Sequence, residues 1–282
     1  MAYIDYSHRV LSTFRSGIEC YRDELERTVS NGMRLLHIGC GHDLSGITRH
    51  YGDKCAVFGV DLDLDAIRHY PGEAWYADAG ALPFQGNTFD VAFSEYVLEH
   101  LADPKAVFSE IARVLCSGGR FISVAPNFWS YKSLAAHATP HWFHQVAVKT
   151  LRRDTARQSE DVYPTLFKAN TGRALKQLAS ECDLELESLA YADNGPTWFQ
   201  RIPGLFELGR VYHTALRAKP LAGLRCNIVV TLRKPGDGMR SEFGVRCVQC
   251  GFAPMTETKQ AFHCSECDYS YLKEGTVSRV LD

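Results

Sequence analysis

No run in this chain of 282 residues and 31.6 kDa approaches the roughly 20 consecutive apolar residues that a membrane-crossing helix needs. The opening stretch MAYIDYSHRVLSTFRSG lacks the basic-then-apolar plan of a secretory leader, so a cytoplasmic protein is expected. Neither sign of charge is in excess: Lys and Arg total 31 against 33 for Asp and Glu. That balance gives no long-range field drawing the chain to nucleic acid or to an anionic membrane. What is present, 45% hydrophobic, 11% aromatic and 23% charged residues, is the composition of a folded chain with room for one large domain and a small appendage.

Ten cysteines remain to be explained in a compartment that keeps thiols reduced. Cys20, Cys40, Cys55, Cys116, Cys182 and Cys226 stand singly in apolar surroundings and read as small buried side chains. Cys247, Cys250, Cys264 and Cys267 form C-x2-C, thirteen residues, then C-x2-C within the last 36 residues. Each pair turns two thiolates toward one ion, and two pairs complete the tetrahedral shell of a structural zinc site with no open position. Gly251 eases the first turn, and Phe252, Phe262, Tyr269 and Tyr271 supply a miniature core. The segment resembles a zinc ribbon, which at about 40 residues needs its metal to fold. Between Arg240 and Asp282 lie five basic and six acidic residues, so nucleic acid is not an expected partner. A structural or protein-contact role is. The turn-rich residues 233–240 form the expected linker.

From residue 33 to 126 short apolar runs alternate with amphipathic stretches, the pattern of a parallel sheet with helices on both faces. Strands are expected at 34–38, 55–60, 75–77, 89–93 and 120–125, the last after a turn at Ser117, Gly118 and Gly119, with a crossover helix at 106–115. In such sheets ligands lie beyond the carboxyl ends of the strands. Gly39 and Gly41 follow the first strand, where backbone without Cβ can approach a ligand, and Asp61 ends the second, where an acid can grip a ribose diol. Asp78 and Ala79 follow the third. The same acids would also serve as helix caps or turn formers.

The phrases LLHIGCGHD, FGVDLD, YADAGALPF, NTFDVAFSEYVLEHL and VLCSGGRFISVAPN stand in the order and spacing of class I S-adenosylmethionine-dependent methyltransferases of the type 11 kind, which residues 33–126 resemble. The resemblance implies an α/β, doubly wound, mostly parallel seven-stranded sheet, with a small C-terminal zinc ribbon appended here. It further implies that His37, Gly39, Cys40 and Gly41 border the methionine part of S-adenosylmethionine and that Asp61 takes the ribose hydroxyls, with Leu62 also in the cofactor site. Asp78 takes the adenine amino group, Ala79 the ring, and Ser94, Glu95 and Tyr96 lie beside the sulfonium. His100 either contacts the cofactor or packs beneath it. Two positions depart from the family pattern: His37 stands where an acid is usual, and Asp43 where a third glycine is. A nicotinamide dehydrogenase would carry G-x-G-x-x-G, whose third glycine is here Leu44.

In this fold the last two strands form an antiparallel hairpin, which 184–190 and 227–232 fit, with a helix at 171–182. Residues 1–32 then form a helical cap, with one amphipathic helix expected over 5–29, residues 33–234 the methyltransferase domain, and 235–282 the ribbon. Two long insertions, 127–170 and 191–226, are the expected seat of acceptor choice. The first contains six basic and three acidic residues, a modest positive surface for an acceptor carrying an anionic group. It also contains TPHWFH and YPTLFKANT, similar to methyltransferases of glycan pathways. His144 first and His141 second are the candidate general bases for a hydroxyl acceptor, since imidazole titrates near working pH. The expected activity is O-methylation of a glycan, glycolipid or small metabolite. An RNA or protein methyltransferase recruited through the ribbon, and a non-catalytic scaffold, are the alternatives.

Overall fold

Residues 2–43, 45–138 and 164–280 are described by the structure, a computed structural model; His141, His144 and most of the first insertion lie outside them. The chain enters through two helices rather than one, α1 (Ala2–Leu11) and α2 (Gly17–Thr28). Ser16 breaks the expected single helix: its hydroxyl accepts from Glu19 N–H while the Glu19 carboxylate accepts from Ser16 N–H. This reciprocal cap starts a new helix wherever S-x-x-E precedes an apolar run. Tyr21 and Leu25 carry α2 onto the sheet.

The strands follow the alternating pattern: β1 (Arg34–Ile38), β2 (Ala56–Asp61), β3 (Glu73–Tyr76), β4 (Phe89–Glu95) and β5 (Leu115–Pro126) are parallel to one another. Between them lie α3 (Ile47–Gly52), α4 (Leu64–Ile67) and α5 (Pro104–Val114). Asp103 caps α5 by accepting from Ala106 N–H, and Pro104 fits its first turn, so it begins two residues before the expected start. Strand β5 begins five residues early, because Ser117, Gly118 and Gly119 form a bulge in the ladder, with Gly118 at φ 80°, instead of a turn ahead of it. After α6 (Tyr131–Ala138) and α7 (Gly172–Glu181) come β6 (Glu185–Ala192), α8 (Pro203–Ala215) and β7 (Asn227–Arg233), with β7 antiparallel between β5 and β6. One face of the sheet is packed by α5 and α7, the other by α2 and α3. Among the described residues no helix is long and apolar enough to cross a membrane.

The sheet is wider than the expected seven strands. The cysteine-rich segment contributes β8 (Thr256–Glu257), β9 (Ala261–His263), β10 (Ser270–Glu274) and β11 (Val277–Val280), and β11 pairs in parallel with β3. The result is one eleven-stranded sheet in the order β6-β7-β5-β4-β1-β2-β3-β11-β10-β9-β8. A free β3 edge would expose unpaired backbone groups; Ala74 N–H instead donates to Thr276 O at 2.9 Å. Trp75, only 2% exposed, meets Phe84 at 5.4 Å, Phe262 at 5.3 Å and Tyr271 at 5.6 Å between ring centroids. Residues 83–85 are held as well, because Arg246 N–H donates to Pro83 O, Gln85 N–H donates to Gly244 O, and Phe84 bridges Val245. Trp75 is thus the apolar joint of the two parts. Trp75→Ala is expected to cost about 3–5 kcal/mol in urea unfolding, and to speed proteolysis in residues 233–245, as limited digestion would show.

Candidate cofactor site and cysteine cluster

The carboxyl ends of β1, β2 and β4 lie side by side, since Ile38 pairs with Val60 on one side and Ser94 on the other. Gly39 turns the chain at φ 65°, and a Cβ there would stand 2.3 Å from Val97 Cγ2. At Gly41, φ 45°, a Cβ would meet nothing within 4 Å, so this backbone faces open space. Its N–H donates to Asp61 Oδ2 at 2.8 Å, and Asp63 N–H donates to Oδ1 at 2.9 Å. Burial lifts Asp61 above the ordinary carboxylate range, against the lowering pull of these N–H groups. Leu62 beside it is exposed. At the next strand end Asp78 is exposed, accepting from Gly80 N–H at 2.7 Å, and Ala79 is half-buried.

Three buried polar atoms gather beyond β4, Glu95 Oε1, Tyr21 Oη and Ser45 Oγ; Ser45 faces Glu95, and Tyr21 Oη beside them has no hydrogen-bond partner. Burial raises the Glu95 carboxyl, with Ser45 and Arg22 opposing. Orphaned groups of this kind call for a polar ligand. Tyr96 follows at φ 55°, a strained conformation for a bulky residue, its N–H donating to Val124 O.

Several expected contacts are arranged differently. The Ser94 side chain is turned into the sheet, where its hydroxyl donates to Ser123 Oγ at 2.8 Å, so it does not line the cleft. Cys40 is buried against Ile67 and Tyr70, and its thiol is pushed far up by burial and by Asp61. His37 is fully enclosed, stacked on Phe93 with centroids 4.5 Å apart, with Nδ1 3.3 Å from Thr48 Oγ1 and 3.4 Å from Tyr70 Oη. Asp43 does the work of the missing glycine: it adopts φ 50° itself and accepts from Thr48 and Arg49 N–H at the start of α3. His100 Nδ1 lies 3.0 Å from Pro164 O, in a segment whose Leu166 and Phe167 N–H groups donate to Glu99 O.

A second polar cluster sits at the same edge of the sheet and was not legible from sequence. His213 on α8 is completely buried, with Nδ1 2.7 and 2.8 Å from the two Asp193 oxygens just beyond β6. Cys226, just before β7, donates to Asp193 Oδ1 at 3.4 Å, and Tyr131 Oη lies 3.4 Å from His213 Nε2. These residues are scattered over 95 positions without a motif, and only strand pairing brings them together.

In the ribbon the four sulfurs of Cys247, Cys250, Cys264 and Cys267 all lie within 4.8 Å of one another, with Cys247–Cys267 and Cys250–Cys264 at 3.5 Å. Gly251 at φ 82° and Asp268 at φ 60° follow the two pairs, so the two turns are built alike. Backbone N–H groups of Phe252, Glu266, Cys267 and Tyr269 point at the sulfurs. Such a knot of thiols, three of them met by amide hydrogens, is a donor set suited to one tetrahedral ion.

Residues 36–123 match the family profile described as a methyltransferase domain. The fold is that of geranyl diphosphate C-methyltransferase from Streptomyces coelicolor, solved with S-adenosyl-L-homocysteine: 14% identity, TM-score 0.50, covering 76% of this chain and 79% of that one. Among curated proteins the chain is 32% identical over 100 residues to 27-O-demethylrifamycin SV methyltransferase of Amycolatopsis mediterranei, covering 32% of this chain and 37% of the relative. It is 46% identical over 112 residues to sterol 4-C-methyltransferase strm-1 of Caenorhabditis elegans, covering 33% and 31%. The chain thus spans about a third of the length of these relatives. Residues 36–123 thus match a methyltransferase domain, and the chain shares the fold of the Streptomyces coelicolor enzyme.

Burial lowers the His37 pKa from its usual 6.5 to about 3, so the folded protein holds it neutral while the unfolded chain protonates it below pH 6.5. Between those values the unfolded state binds more protons, and stability falls with falling pH by up to about 1.4 kcal/mol per unit. Denaturant titrations at pH 7 and pH 5 are expected to show His37→Asn losing about 2 kcal/mol less than wild type over that interval.

Proposed function

We propose that the protein transfers the methyl group of S-adenosylmethionine to a hydroxyl oxygen of a small organic molecule. The observation that carries this reading is the row of strand ends, where Gly41 leaves its backbone open, Gly39 turns the chain tightly against Val97, Asp61 and Asp78 stand at successive ends, and Tyr21 Oη is buried without a partner beside Glu95. The bound cofactor supplies a methyl group already activated on a sulfonium. Asp61 holds the ribose hydroxyls, Asp78 the adenine amino group, and Ala79 the ring, with Leu62 lying over it. Glu95, Tyr21 and Ser45 take the polar methionine end, and Tyr96 and His100 shape the wall nearest the acceptor. The protein's task is then to align the acceptor for in-line attack and to exclude water.

Trp129, Leu134 and Leu166 are exposed beyond β5 and the turn at Leu98–His100, and this apolar rim suits an acceptor with an apolar body. The rifamycin, sterol and geranyl diphosphate enzymes act, by their names, on such molecules. In the ribbon the four cysteines hold a structural zinc ion. Its commitment to the β3 edge favours a supporting role over recruitment of RNA or protein. With residues 1–32 as cap, 33–234 as catalytic domain and 235–282 as ribbon, a reducing cytoplasm is the setting that keeps the thiols available for metal.

Calorimetric titration of S-adenosylmethionine, with metal analysis on the same samples, tests this reading. Wild type is expected to bind one equivalent and contain about one zinc per chain, and Asp61→Ala to bind about 10–100-fold more weakly with zinc unchanged. Failure of wild type to bind, or absence of methyl transfer to every hydroxyl in a panel of phenols, polyketides and sterols followed by mass spectrometry, would overturn it. Gly39→Ala is expected to weaken cofactor binding at least 10-fold, and Val97→Ala in the same chain to restore part of the loss, because the added Cβ clashes with Val97.

A further inference from the structure

We infer that Tyr131, His213 and Asp193 form the proton path that deprotonates the acceptor hydroxyl, with Tyr131 touching the acceptor and the other two positioning and driving it. This rests on the hydroxyl-methylating reading above. The Asp193 carboxylate, 2.7 and 2.8 Å from Nδ1, accepts the proton of that nitrogen and turns Nε2 toward the Tyr131 hydroxyl 3.4 Å away. Burial would raise Asp193, but hydrogen bonds from His213 and Cys226 and from Gly195 N–H hold it below the ordinary carboxylate range, ready to face an imidazolium. His213 is 0% exposed, whereas Tyr131 is half-buried and provides its way out.

The position of the cluster is what separates it from an ordinary buried network. Asn127 N–H donates to Cys226 O and Tyr96 N–H to Val124 O, so the cluster stands two strands along from Tyr96, roughly 10 Å, at the edge where the methyl group is presented. Phe199 stacks on the Tyr131 ring at 6.4 Å and Tyr212 meets it edge-on at 5.6 Å. Among the described residues, the groups facing the dyad are Tyr131 and Lys132 from α6, Tyr212 from α8, Cys226 before β7, and Phe14 from the α1–α2 turn with Arg217 over its ring.

In the step, the acceptor oxygen bonds to the methyl carbon as the carbon–sulfur bond breaks, and that electron pair stays on sulfur, giving the neutral thioether. The hydroxyl proton passes to Tyr131 Oη while the proton of Tyr131 passes to His213 Nε2. The resulting imidazolium is paired with Asp193 and releases its proton to solvent after product leaves.

The test compares methylation of catechol with that of 4-nitrocatechol, which is already ionised near neutral pH, together with the best hydroxyl acceptor of the panel and a nitro-substituted analogue. For Tyr131→Phe, which deletes only an oxygen, and His213→Gln, kcat for the un-ionised acceptor is expected to fall about 10²–10⁴-fold at pH 7. It should recover as pH rises, while the ionised acceptor is methylated within about threefold of wild type and S-adenosylmethionine affinity is unchanged. Equal losses for both acceptors, or none for either, would overturn the relay while leaving the proposed function intact. Wild type that binds cofactor but methylates no hydroxyl would overturn that function and the relay with it.

Discussion

Ile38 lies opposite Val60 in β2 and opposite Ser94 in β4, and this double register places Gly39 just past β1 level with Asp61 and Glu95, the last residues of β2 and β4. A slip of one residue would turn each side chain to the other face of the sheet. The apolar alternation on both faces forbids it, because Leu36 and Ile38 belong to one core and Leu35 to the other. Hydrophobic packing thus determines where the polar groups of the cleft stand, although none of them takes part in it.

The parallel sheet and its cleft were readable because glycines and acids at strand ends answer to local backbone needs. Asp43 shows how such a need is met by a substitute: the chain required a left-handed residue and a helix cap, and one aspartate supplies both. Helix starts are set by short capping signals that apolar periodicity does not report, Ser16 with Glu19 before α2 and Asp103 before α5. Ser94 could not have been placed from its neighbours, since its partner Ser123 belongs to another strand. The Asp193, His213 and Cys226 cluster had no local signal at all, because its geometry exists only once β6 and β7 are paired beside β5.

The ribbon looked in sequence like a separate appendage because cysteine spacing reports a metal shell and says nothing of what the shell rests on. Its aromatic residues have two duties. Phe262 and Tyr271 fill a core too small to hold itself together, and they also receive Trp75 from the neighbouring strand. Domain and appendage therefore share one continuous apolar layer running from α7 through the sheet to the cysteine knot.

Ala74 waits for Val277, a partner about 200 residues further along the chain, and pairings of that span form slowly. A ribosome delivers them in order, so the β3 edge stays unpaired through most of synthesis, when all of the glycine loop has already emerged. Pairing of that edge falls to the cysteine-rich strands. The order of the chain thus makes the segment furthest from the first strand the one that finishes the domain.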